Sequence, residues 1–269
     1  MKPVPREETI RALVHTAVQS YAQGFRARHE GEVDNPEGII NMKIHNVFIE
    51  ALGKEIQYFT ALVRSLDSSL GNMLEGLAIN IAELSFEVKR NVEGPLFTEQ
   101  TRDIADLLEK YKRHEKKPEI ADYSLLRNSS ARGASKIKRH DSDYYLIDKE
   151  TEHRYLIELK IGGDLDNKKA RSEKEAILEQ YAILSNILKP ENKITIYFAT
   201  AYNRFGEDKP WRQERVKQFF SDKELLIGKD FWNFICQSDK GYEIVLSAYR
   251  KSAPLIREAL ESIKKTYLG

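Results

Sequence analysis

Residues 141–163 constrain this chain more than any other stretch: D-S-D-Y-Y-L-I-D, a polar turn K-E-T-E, then H-R-Y-L-I-E-L-K-I-G-G. Two apolar, aromatic-rich runs around a short polar turn read as a β-hairpin. The second strand ends in Glu158 and Lys160, and side chains two apart on a strand project to the same face. Half-buried strands rarely hold a carboxylate and an amine side by side without a use for them. The rest of the chain has to fold around this hairpin.

An acid, any residue, then lysine is a weak signal alone. Glu87-Val88-Lys89, Glu115-Lys116-Lys117, Asp166-Asn167-Lys168, Glu191-Asn192-Lys193 and Glu207-Asp208-Lys209 share the pattern. Three features separate Glu158-Leu159-Lys160 from them. It closes an apolar run (Tyr155, Leu156, Ile157), and the glycine pair Gly162-Gly163 follows, which allows close backbone approach to a ligand. Asp143 opens the partner strand, where a hairpin brings it beside Glu158. Asp141 is the rival upstream acid, but Asp143 abuts the apolar run directly.

The surroundings read as α/β. Helical spacing runs through Ile10, Leu13, Val14, Ala17 and Tyr21, ending near Gly24. It resumes over 44–66 and 68–88, divided at Asp67-Ser68-Ser69, and again over 98–113. Asn128 to His140 is small, polar and basic and predicts a loop. Ser172 with Glu175 three residues on is a capping-box pattern, predicting a helix over 172–188. Ile194 to Ala199 predicts a buried strand, and helices follow near 212–220, 229–236 and 253–267. Strand, strand, helix, strand with flanking helices is an α/β arrangement. No clean linker divides it, so a single domain over 1–269 is expected, mainly helical over 1–125 and carrying the catalytic core over 126–269.

Composition excludes several classes. The 269 residues hold one cysteine, Cys236, so neither a disulfide framework nor a cysteine zinc site is available. His140 and His153 flank the hairpin without a third ligand at zinc spacing. The sequence M-K-P-V-P-R-E-E has no apolar signal region, no apolar run approaches a membrane span, and a cytoplasmic protein is expected. There is no G-x-x-x-x-G-K-S/T sequence, hence no expected nucleotide cofactor. The net charge of +1 argues weakly against a non-specific nucleic-acid coat and leaves room for a local basic surface.

The residue types suit metal-assisted phosphate chemistry. Mg²⁺ prefers hard oxygen ligands, typically one or two carboxylates with waters and a substrate phosphate. Asp143 and Glu158 could hold it, and Lys160 could orient an attacking water and offset charge at the phosphate. The bland alternative is an exposed ion pair worth about 0–1 kcal/mol.

At these residues the sequence resembles the PD-(D/E)XK nuclease superfamily, with Asp143 as the first acid, Glu158 as the second and Lys160 as the lysine. Ser142 stands where that motif has proline. The segment I-G-G-D-L-D-N-K-K-A-R-S-E-K-E-A-I-L-E-Q-Y-A-I-L is similar to type II restriction endonucleases, and within them to the TdeIII-like group; L-L-I-G-K-D-F-W-N-F-I-C resembles a late segment of such enzymes. The resemblance implies a restriction-endonuclease-like core with a central mixed β-sheet flanked by helices, preceded by a mainly helical N-terminal region. It also implies Mg²⁺-dependent cleavage of double-stranded DNA at a short, GGNCC-like site within a restriction-modification system. Relatives often add an acid from an N-terminal helix, which makes Glu75 in S-S-L-G-N-M-L-E-G-L a further candidate metal ligand. A roughly palindromic site needs two centres, so a homodimer is expected. Gln180-Tyr181 resembles a pair near the site in related nucleases, with helix packing an equal reading. A structure-specific repair or junction-resolving nuclease of the same fold, and a non-catalytic DNA-binding or scaffold protein, are the rival readings.

DNA contacts require cations near the centre. Arg132, Lys136, Lys138 and Arg139 precede the hairpin. Asp166, Asn167, Lys168, Lys169 and Arg171 follow it, placed for groove contacts. Arg204, Arg212 and Arg215 follow the 194–199 strand. Trp211 and Trp232 read as core or interface aromatics ahead of base-stacking platforms.

Overall fold

The structure, a computed structural model, describes residues 6–128, 133–163 and 165–269. In chain order the elements are α1 (Arg6–Gly31), α2 (Val47–Glu50), α3 (Lys54–Ala82), β1 (Phe86–Phe97), α4 (Thr98–Lys112), α5 (Ser124–Asn128) and β2 (Ser135–Asp148). Then follow β3 (Arg154–Leu159), α6 (Asn167–Ile187), β4 (Ile194–Thr200), α7 (Glu214–Lys217), β5 (Leu225–Ile227), α8 (Lys229–Cys236) and α9 (Gly241–Leu268). Contacts group them into two units: a helical one that runs to Ile81 and resumes at Glu243, and a sheet unit from Ala82 to Tyr242. β1 and α4, both before residue 126, belong to the sheet unit.

In the helical unit the expected breaks are absent. α1 continues through Gly24 because Ala22, Phe25 and His29 keep its inner stripe buried; that packing outweighs the roughly 1 kcal/mol a mid-helix glycine costs. α3 passes through Asp67-Ser68-Ser69, where the Ser69 hydroxyl donates to the Ser65 carbonyl at 2.7 Å and so stays satisfied inside the helix. Phe25, Tyr58, Leu62, Ile263 and Tyr267 form the core. α9 begins at Gly241, ahead of the expected 253, and holds Pro254 in its interior.

The sheet unit is the α/β architecture expected: five strands in the order β1-β2-β3-β4-β5, antiparallel from β1 to β3 and parallel from β3 to β5. β1 was not expected. Gly94 and Pro95 lower its strand propensity, yet an edge strand tolerates proline because one side of its ladder is open. Residues 135–140, read as loop, are the first half of β2 and pair with Phe97 to Val92; their side chains are mostly exposed, so no apolar alternation announces them. α6 covers one face, where Tyr145, Leu156, Ile196 and Phe198 pack with Ile177, Leu178 and Ile183. At Gly94 an added Cβ would lie 2.8 Å from Ile183 Cγ2, so α6 rests directly on β1 there. α8 covers the other face: Phe234 stacks on Phe86 (5.6 Å) and meets Tyr155 edge-on (5.0 Å).

Three local readings change. α6 starts at Asn167, five residues before Ser172, because Asp166 caps it by accepting from the Lys169 N–H at 2.8 Å. The glycine pair makes room for the protein itself. A Cβ on Gly162 would fall 2.7 Å from the Tyr202 hydroxyl, and one on Gly163, whose φ is +64°, 2.7 Å from Thr200 Cγ2. The expected helix over 212–220 shrinks to α7.

Candidate active site

β2 and β3 pair with Tyr144 opposite Ile157 and Tyr145 opposite Leu156, which carries Asp143 to the level of Glu158. The Asp143 carboxylate accepts the Leu159 N–H at 3.0 Å. Asp143 shares its face of β2 with Tyr145, and Glu158 shares its face of β3 with Leu156, so both acids lie on the α6 side. Asp141 is exposed and pairs with Asn91 across the sheet; of the two upstream acids, Asp143 is the one beside Glu158. The β1–β2 register shifts between Lys89 and Asn91, opposite Ser142 to Tyr144. This bulge lets His140 and Asp143, three apart, share one face.

Lys160 extends the ladder, its N–H donating to the Ala199 carbonyl at 3.0 Å. Its ammonium bonds the Glu158 carboxylate and lies 3.2 Å from Glu173 Oε1 on α6. Glu158 is 9% exposed. Burial, then the Asp143 carboxylate, push its carboxyl up to about 8 even with Lys160 beside it. For Lys160 burial works downward, but the Glu158, Glu173 and Asp143 carboxylates outweigh it and hold the ammonium above its ordinary value. Lys160 is therefore a fixed cation at neutral pH.

A second charged group lies on the same side. Glu179 of α6 bonds the Lys138 ammonium and stands 2.8 Å from His140 Nε2. Burial would raise its carboxyl, but His140 and Lys138 hold it below the usual range. Deeper, Lys174 and Glu224 are both fully buried and paired at 2.6 Å, with the Tyr123 hydroxyl bonded to both. The Ser221 N–H and hydroxyl donate to the other Glu224 oxygen at 2.8 and 2.9 Å. This pair pins α6, and with it Glu173 and Glu179, to the segment before β5. Glu173 and Glu179 escaped the sequence reading. Both sit on a helix whose start was misplaced, and acids on a charged helix look like solvated surface.

The model of the family described as Type II restriction endonuclease, HinfI, matches residues 7–253. The chain belongs to that family. No curated protein and no solved structure matches it. The family named is HinfI, where the sequence resemblance pointed within type II enzymes to the TdeIII-like group. Membership makes the chain a restriction endonuclease, a DNA-binding hydrolase whose substrate is double-stranded DNA.

For a family of this kind, the sheet unit offers cations on the elements that frame the acids. Lys136 and Arg139 are exposed on β2, with Arg139 3.9 Å from Glu93; Lys138 is held by Glu179. Asn167, Lys168 and Lys169 are exposed in the first turn of α6, and Arg171 pairs with Glu109 at 3.2 Å. Asp166 is occupied as the helix cap. Arg204, Arg212 and Arg215 are exposed, with Arg212 5.3 Å from the Phe205 ring centroid. Arg132 lies outside the described residues. Glu75 lies on α3 in the helical unit. Trp211 and Trp232 are buried, and Trp232 Nε1 donates to the Ala201 carbonyl at 2.8 Å. Gln180 and Tyr181 are buried on α6, the Tyr181 ring 5.7 Å from that of Tyr123. Among the described residues no helix is long and apolar enough to cross a membrane, and no group of three or more His, Cys, Asp or Glu side chains gathers as a metal cage.

Proposed function

We propose that this HinfI-family chain is a Mg²⁺-dependent type II restriction endonuclease that hydrolyses both strands of duplex DNA at a short specific site, acting as a homodimer in the cytoplasm. Convergence of the Asp143 and Glu158 carboxylates beside the Lys160 ammonium carries the reading. Two acids that repel each other in a buried corner fit a hard divalent cation, and a two-carboxylate set completed by water and phosphate oxygens is characteristic of Mg²⁺. Bound there, the metal would acidify a coordinated water and offset charge on the phosphate.

The chain's own groups supply the rest. Asp143 is oriented by the Leu159 N–H. Lys160, held as a cation by the surrounding carboxylates before a metal binds, offers hydrogen bonds to the water or phosphate oxygen. Glu173 keeps a grip on the ammonium when Glu158 turns to another partner. Lys136, Arg139, Lys168, Lys169, Arg204, Arg212 and Arg215 are the exposed cations placed to meet phosphates.

Plasmid digestion with Mg²⁺, with EDTA as control and sequencing of fragment ends, tests this. Discrete fragments with one shared end sequence are expected, and those ends also show whether the site is GGNCC-like. Irregular cuts at branched or damaged DNA point to the structure-specific alternative. Asp143→Ala and Lys160→Ala should lose at least about a thousandfold in rate while retaining DNA in a gel shift. Variants that cut as well as the parent refute the assignment.

A further inference from the structure

Apolar side chains crowd onto one exposed stretch of the helical unit. Val47 and Phe48 of α2, Leu52 in the turn, and Ile56, Phe59 and Val63 of α3 expose between 37% (Phe59) and 83% (Phe48) of their surface. The inner face of the same helix buries Tyr58, Ala61 and Leu62, so α3 is apolar on two sides. Ile56, Phe59 and Val63 stand three and four residues apart, the spacing of a helix–helix seam. Gln57 Nε2 donates to the Glu50 carbonyl at 3.4 Å, which ties the end of α2 to the first turn of α3.

We propose that this face is where a second copy of the chain docks, side to side along α3. The choice of partner rests on the proposed function, in which two equivalent centres act on two antiparallel strands. The surface itself supports that choice. Each of the six side chains exposes on the order of 100 Å², giving on the order of 600 Å² per copy before flanking residues, close to the roughly 800 Å² per partner of a standard interface. The patch is at the upper end of the roughly 300–600 Å² that the largest apolar patch on a monomer spans, and such patches often serve as interaction sites. The exposed charges around it, Glu50, Lys54, Glu55 and Arg64, balance. They offer neither the cationic surface DNA requires nor the basic rim of a membrane-binding helix. An apolar stripe is complementary to itself under a two-fold, and charges of both signs can pair across one.

Sedimentation velocity on the full chain without DNA, over a concentration series, tests the proposal. The parent should sediment with the mass of two chains, and Phe48→Glu combined with Val63→Glu with the mass of one. Circular dichroism should not change, because neither side chain is buried within the chain, and the melting temperature should lose the dependence on protein concentration that the dimeric parent shows. If the charged pair precipitates, Phe48→Ser with Val63→Ser carries the same reading. On a plasmid with a single site the parent should release linear product directly, whereas the variant should accumulate nicked circles. A parent that sediments as one chain overturns the proposal, as does a variant that stays dimeric. A monomeric parent whose melting temperature drops in the variant means that the chain covers this face itself. A dimeric parent that cuts no DNA refutes the nuclease reading and leaves the interface standing.

Discussion

Glu158→Gln should make the metal-free protein more stable, and by an amount that depends on pH. The carboxyl lies 9% exposed, moved from an ordinary 4.5 to about 8 by burial and the Asp143 carboxylate. Between those two values the folded chain keeps a proton on Glu158 that the unfolded chain has released. Folding therefore takes up a proton, and stability falls as pH rises. Each pH unit across that window withdraws up to about 1.4 kcal/mol, so the ceiling at pH 7 is about 3 kcal/mol; side-chain relaxation and water entry reduce it. Glutamine keeps the shape and has no charge to lose, and Lys160 retains Glu173 at 3.2 Å. Thermal melts in EDTA from pH 5 to pH 9 measure the difference. The variant should gain on the parent steadily up to about pH 8 and then level off, by about 2–4 °C per kcal/mol for a chain of this size. The two histidines that burial holds low, His29 and the half-buried His153, are common to both proteins and cancel. Mg²⁺ should stabilise the parent most at high pH and leave the variant nearly unmoved. Parallel curves for parent and variant would refute the reasoning.

Lys174→Met should cost about 3–5 kcal/mol in urea denaturation, because it strands the fully buried Glu224 carboxylate. Adding Glu224→Gln should restore most of the loss, and a double variant as unstable as the single one contradicts that account. Replacing Lys136 and Arg139 by alanine should lower the slope of log binding constant against log salt by about one per residue. An unchanged slope, read by fluorescence anisotropy with duplex DNA, removes the first half of β2 from the interface.

What the sequence determined by itself was local. Alternation along a strand puts Glu158 and Lys160 on one face, and a short polar turn between apolar runs returns Asp143 to Glu158. Both follow from chain geometry over about twenty residues, and both are present in the fold. Helices were legible where an apolar stripe repeats, and so were the ends of α4 and α8, but not those of α1, α3, α6 and α9. Gly24 and Ser69 look like breaks, yet the buried stripe of α1 outweighs the cost of the glycine and the Ser69 hydroxyl, bonded to the Ser65 carbonyl, stays satisfied inside α3. β1 and the first half of β2 depended wholly on each other. Gly94 and Pro95 hide one strand, exposed polar residues hide the other, and only pairing across some forty residues makes either a strand. The same pairing sets the bulge that turns Asp143 toward α6. Glu173 and Glu179 reach the site because the buried Lys174–Glu224 pair and the bare Gly94 seat α6 on the sheet. Contacts of that range leave no periodic trace in a sequence, so the hairpin could be read directly and its surroundings only from the folded chain.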